Sequence, residues 1–164
     1  MILGSLKRNL LAASSAGAIA IAGVLVAHFE PGKVRGKPYI DAVGVLTVCD
    51  GHTGLDIDPK RIYTDAECDA WRDADLAEAD AAVRRLITVP LNDWQRAALI
   101  DFTYNLGAGN LASSTMRRKF NARDYVGGCA ELNRWVKGRQ NGVLVTLPGL
   151  VTRREADTWL CLQN

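Results

Sequence analysis

Two acids and a hydroxyl share one short stretch of this 164-residue chain, EPGKVRGKPYIDAVGVLTVCDGHTG from Glu30 to Gly54: Glu30, Asp41 and, six positions on, Thr47. Such a set suits acid/base hydrolysis, in which one carboxyl stays protonated and another group handles water. The chain has five glutamates. Glu67 and Glu155 read as third-position partners in helix capping boxes, and Glu78 and Glu131 lie in charged helical surroundings where solvated pairing is the usual role. Glu30 instead follows the apolar run Val24–Phe29, and partial burial there favours the protonated form a general acid needs. Among the nearby aspartates, Asp41 precedes an alternating strand, whereas Asp56 and Asp58 sit in the turn-like LDIDPK. Thr47 also reads as an ordinary β-former. His52, in GHTG, reads as a turn or core histidine.

The elements that must position these groups change period along the chain. From Tyr39 to about Ile62, alternating Val43, Val45, Thr47 and Cys49 with Gly51 and Gly54 predict short antiparallel strands joined by glycine turns. Beyond Thr64 the pattern is helical. Thr64–Glu67 opens a helix to about Leu86, and Asn92–Gln95 opens one that runs to the Gly107-Ala108-Gly109 stop. Thr152–Glu155 opens the last, and shorter helices cover Ser114–Phe120 and Asp124–Val136. The expected class is α+β, mostly helical, with a small antiparallel β-lobe, a helical lobe and a cleft between them. An N-terminal apolar helix precedes this unit.

That helix covers Asn9–Ala27, nineteen uncharged residues behind Lys7 and Arg8. As one helix it would measure about 28 Å, close to the roughly 30 Å of bilayer hydrocarbon. The basic flank places the remainder across the membrane. A cleaved signal peptide, a permanent anchor and a weak anchor all fit; eleven of the nineteen residues are Ala, Gly or Ser, which makes for a poor stable span. Export makes disulfides among Cys49, Cys68, Cys129 and Cys161 feasible. No CxxC or histidine pair supports a metal site, and no cofactor motif is present; GAGNLA at 107–112 follows a helix, so it is no dinucleotide loop. Residues 115–164 carry nine Lys/Arg against four Asp/Glu. This is compatible with an anionic polymer and equally with a solvated face. The run Arg117-Arg118-Lys119 lacks the motif context of a nucleic-acid binder.

Residues 28–162 resemble the phage-type lysozymes (endolysins), in particular the signal-arrest-release members, through YIDAVGVLTVCDGHTG, YTDAEC, TYNLGAG, CAELNRW and PGLVTRREADTWLC. The resemblance implies a monomeric muramidase that hydrolyses the β-1,4 bond of peptidoglycan. Glu30 would be the acid, Asp41 the carboxylate that positions water, Thr47 the hydroxyl that helps hold it, and Asn105 and Arg153 would orient substrate or acid. It divides the chain into a signal-anchor at 1–29 and a catalytic domain at 30–164. Residues 9–27 would tether the enzyme, inactive, to the inner membrane, followed by release into the periplasm. The anchor contains no cysteine, so restraint by thiol exchange is unavailable, and topological control of Glu30 is expected. The family spacing is Glu, eight residues, Asp, five residues, Thr; here ten residues separate Glu30 from Asp41, which implies a two-residue insertion in PGKVRGKP. Of the three disulfide connectivities, Cys49–Cys68 with Cys129–Cys161 pairs each motif with its neighbour. A lytic transglycosylase, which needs one acid, and a tethered glycan-binding module using Trp94 and Trp135 are the alternatives.

Overall fold

The computed structural model describes residues 4–30, 34–41, 44–140 and 142–164. Its centre is α4 (Asp93–Leu106), in which every residue from Ala97 to Thr103 is buried. A helix segment buried on every side must be surrounded, and α4 packs against α2 (Ala18–Phe29), α3 (Asp65–Leu86) and α8 (Pro148–Cys161). The predicted capping boxes at Thr64–Glu67 and Asn92–Gln95 both form. After α4 the chain turns at Gly107, where φ is +86°. It continues through α5 (Ala108–Ser113), α6 (Thr115–Asn121), α7 (Tyr125–Ala130) and a 3-10 turn, Glu131–Arg134.

The apolar N-terminal stretch departs from the single-helix expectation. It forms α1 (Gly4–Ala13), a 3-10 turn at Ser14–Ala16, and α2, with the break at Gly17, whose φ of +86° suits glycine. Among the described residues, no helix is long and apolar enough to cross a membrane. Instead Ala18, Ile21, Ala22, Leu25 and Val26 form one buried stripe of α2 in the main core, joined by Leu6 and Leu10 of α1. Burying Ile21, Leu25 and Val26 is worth about 1.5–3 kcal/mol each, so the stretch is a structural part of the helical lobe and does not merely precede it.

Three further differences have local causes. The last helix starts at Pro148, not Thr152, because proline's fixed φ and missing N–H suit a first helical position. Thr152 and Glu155 therefore lie inside the helix, and the Thr152 hydroxyl donates back to the Pro148 carbonyl at 3.2 Å. Residues Lys137–Gln140 (β4) and Val143–Thr146 (β5) pair as a hairpin the sequence did not announce. Glu131 is buried in the 3-10 turn and paired with Lys119 at 2.7 Å, so its partner is right for a structural acid but its setting is not solvated.

The small lobe is an antiparallel sheet in the order β1 (Tyr39–Ile40), β2 (Leu46–Val48), β3 (His52–Thr53). Direct partners across antiparallel strands share a face, so Tyr39, Thr47 and Thr53 form one row. On the other face Val48 joins a second core with Cys49, Ile57, Tyr63 and Cys68. The expected alternation beginning at Val43 starts at a residue outside the described set. Disulfides join Cys49 to Cys68 and Cys129 to Cys161, the pairing favoured from the motifs.

Candidate active site

Glu30 caps the C-terminus of α2, its N–H donating to the Val26 carbonyl at 2.9 Å. The docked α2 therefore decides where its side chain stands. Oε1 accepts from Arg153 Nη1 and, at 3.4 Å, from Asn105 Nδ2. Oε2 faces the opposite way: a Cβ on Gly51 would lie 3.3 Å from it. Gly51, with φ +92°, is favoured by its backbone conformation, and a Cβ there would press against the carboxylate of Glu30. Arg153, 3% exposed, is held by Asp101 through two 2.8 Å bonds and lies over the Phe29 ring.

Asp41 directly follows β1 at the mouth of the hairpin. Its Oδ1 accepts from Val45 N–H at 2.9 Å, and its own N–H donates to the Val45 carbonyl at 2.9 Å. Thr47 sits mid-strand, 3% exposed, its hydroxyl donating to the Val45 carbonyl at 3.1 Å. Tyr39 stands opposite Thr47. Its phenol is pushed upward in pKa by burial and then by the negative charges of Glu30 and Asp41. A cleft of about 330 Å3 is lined by Gly51, Thr53, Asp75, Thr103, Tyr104 and Gly107; Glu30, Asp41 and Thr47 do not line it, and Glu30 stands behind Gly51 at its edge. The Tyr104 hydroxyl donates to the Asp50 carbonyl at 2.7 Å, tying α4 to the sheet lobe.

The rival groups are occupied elsewhere. Asp50 pairs with Arg35 at 3.0 Å, and Asp58 caps its own turn through Lys60 N–H. His52 bonds Asp75 at 2.8 Å, lies 3.3 Å from Asp56 and stacks on Trp71, as a turn or core histidine does. Trp94 and Trp135 pack against the main core, as helix-core tryptophans do. The longer tether between the acids is clamped where it is described. Arg35 reaches Asp50, Asp65 and Asp69, and Gly36 packs so tightly that a Cβ would meet the Tyr63 carbonyl oxygen at 2.1 Å. Pro31, Gly32 and Lys33 of the insertion lie outside the described residues. Among the described residues, no cluster of His, Cys, Asp or Glu could hold a metal.

Sequence reasoning offered Arg154 as an alternative to Arg153 for orienting Glu30, and it instead donates to Asn105; it missed Gly51, Asp101 and Asp157. Asp101 was findable: it is one acid inside the apolar run AALIDF, where a charge needs a buried partner.

A helical lobe beside a small antiparallel sheet, with a glutamate at the end of α2 next to that sheet, is the arrangement of a lysozyme-type glycosidase. The chain matches the phage lysozyme family over residues 29–157 and belongs to it. The SAR-endolysin of bacteriophage PS119 is 45% identical, covering 96% of this chain and 95% of its own. The endolysin of Escherichia coli O157:H7 phage FAHEc1 is structurally similar at a TM-score of 0.78 and 27% identity, covering 86% and 90%. The active form of P1 phage endolysin Lyz gives 0.74 at 25% identity, covering 86% and 83%.

Proposed function

We infer that this chain is an endolysin that hydrolyses the β-1,4 bond between N-acetylmuramic acid and N-acetylglucosamine in peptidoglycan and so lyses the bacterial host. Glu30 is the general acid, protonating the leaving glycosidic oxygen from Oε2. Asp41 orients the attacking water and takes its proton, and the Thr47 hydroxyl helps hold that water. Asn105 and Arg153 orient the acid. The single observation that carries this reading is the division of labour at Glu30: Oε1 is occupied by two donors while Oε2 faces the Gly51 wall of the cleft. Inversion requires room for water, with carboxyls on the order of 6.5–9.5 Å apart. Muropeptide analysis after digestion tests the reaction: reducing muramic ends support hydrolysis, and anhydro ends would mean transglycosylation.

The protein is secreted to the periplasm and acts as a monomer. Before release, residues 1–29 form a signal-anchor, with 9–27 in the inner membrane and the catalytic domain, 30–164, on the periplasmic side. Only two residues separate this span from Glu30, so insertion withholds the acid from Arg153. Escape of the Ala/Gly/Ser-rich segment lets Gly17 bend and α2 dock, and docking brings Glu30 into place. The resemblance to the active form of P1 Lyz supports assigning this conformation to the released state. The test compares cell-wall hydrolysis by membrane-held and released protein. The released form is expected to be far more active; equal specific activity would contradict topological control.

A further inference from the structure

The cleft of about 330 Å3 beside Gly51 contains none of the residues assigned to proton or water handling, yet its size falls within the range of ligand sites, about 300–1,000 Å3. One side of it is a face of α3 that presents Asp75, Glu78, Ala79, Ala82 and Arg85; the corner between α4 and α5 adds Thr103, Tyr104, Gly107 and Ala108. Most of the polar groups there are committed. Asp75 is bonded to His52 at 2.8 Å, the Tyr104 hydroxyl donates to the Asp50 carbonyl at 2.7 Å, and the Thr103 hydroxyl donates to the Leu99 carbonyl at 2.7 Å. Glu78 and Arg85 are different. Both are exposed, and among the described residues neither side chain has a hydrogen-bond or ion-pair partner. They stand two turns apart on one helix, about 10.5 Å along its axis, with small residues between them. The cleft thus offers one free negative and one free positive charge at a fixed spacing.

The sugar rings of peptidoglycan bear only hydroxyl and acetamido groups and would leave both charges unanswered. The charges of this polymer lie on the stem peptide, which is attached through the lactyl group of muramic acid. The stem carries carboxylates and, at its diamino-acid residue, a free amine. It leaves the sugar whose bond is cleaved, and Gly51 both lines the cleft and stands against the Glu30 carboxylate. An extended peptide covers about 3.3–3.6 Å per residue, so three residues span the distance from Glu78 to Arg85.

We propose that this cleft binds the stem peptide of the substrate: Glu78 receives the amine of the diamino-acid residue and Arg85 a stem carboxylate. This rests on the muramidase reading above. A guanidinium presents two parallel N–H groups to a carboxylate, which suits Arg85 to that end. Neither side chain reaches the reacting atoms, so their loss raises KM and leaves kcat unchanged.

The experiment crosses enzyme variants with substrate modifications on soluble, uncross-linked glycan strands bearing diamino-acid stems. Acetylating the stem amine is expected to lower wild-type kcat/KM by at least about threefold. Glu78→Gln should show that loss on unmodified strands and no further loss on acetylated ones. Arg85→Gln should stay sensitive to acetylation and become insensitive to amidation of the stem carboxylates. A wild type indifferent to both modifications would overturn the proposal, as would losses from variant and modification that simply multiply. Lys137→Gln, which removes an exposed cation on β4 outside the cleft, should respond to both modifications as the wild type does; insensitivity there would mean general charge attraction and overturn the site. Both cleft positions are exposed, so the unfolding midpoints should match the wild type. Lysis retained by Glu30→Gln would end the acid assignment without altering the crossed comparison, which reads binding alone.

Discussion

Glu30 and Asp41 are held by opposite kinds of structure. Glu30 hangs from the end of a docked helix, and behind it Arg153, Arg154, Asp101 and Asp157 are all buried. Asp41 follows a two-residue strand whose Tyr39 and Ile40 are 39% and 64% exposed, and it is held by bonds from its N–H and to its carboxylate with the Val45 backbone. The difference teaches that the half of the proposed site bearing Glu30 depends on the whole helical core, including an apolar segment from the far end of the chain. The half bearing Asp41 depends on a local hairpin turn. Damage far from the cleft should therefore reach the acid, while damage to the sheet should stay local.

The strongest way to break the contrast is Asp101→Ala. It leaves the Arg153 charge buried without its carboxylate and is expected to cost about 3–5 kcal/mol, read by denaturant unfolding together with loss of lysis. Asp41→Asn should do the reverse. Turnover on peptidoglycan falls by about 10²–10⁴, while the unfolding midpoint stays with the wild type; a parallel loss of stability would erase the distinction between the halves. Next come the disulfides. Replacing Cys129 and Cys161 by alanine opens a link between α7 and α8 spanning 32 residues and should cost about 2–4 kcal/mol. The Cys49–Cys68 link spans 19, so its removal should cost somewhat less and be felt mainly in the sheet lobe. Thermal melts with each pair removed check the order. Thr64→Ala, which removes a capping-box side chain of α3, should cost about 1 kcal/mol.

The smallest effect is a slope. Asp157 holds its proton in the folded state to higher pH than an unfolded aspartate, at about 3.9. Between those two values the native protein binds the extra proton, so this contribution to stability falls as pH rises. Asp101 works in the other sense: its stabilisation is present above about 3.9 and is lost as pH falls through its lower folded value. Melting temperatures taken from acid to neutral pH should lose the first slope in Asp157→Asn and keep the second.

The local signals in the sequence located α3 and α4 because their capping boxes are short-range chemistry; elimination among five glutamates pointed to Glu30 on premises of which two fail, since Glu155 lies inside α8 and Glu131 is buried. Long-range facts were illegible. The apolar stretch 9–27 has the composition of a weak membrane span and also of a core helix pair, and nothing local says that Gly17 will bend. The start of α8 was misplaced because Thr152–Glu155 imitates a cap, while Pro148 carries the real signal through its missing N–H. Gly51 is legible as a turn, but not as the wall beside the acid. Asp157 looks like any helix-surface aspartate until Asp101 and Arg154 are seen around it.

The measurement that tests the account most directly is the turnover of Glu30→Gln on purified peptidoglycan, taken with its unfolding midpoint. The amide keeps the size of the side chain and has no proton to give to the glycosidic oxygen. The predicted result is a folded protein with lysis reduced by at least about 10³. Lysis within tenfold of the wild type, at unchanged stability, would contradict the claim that Glu30 is the acid.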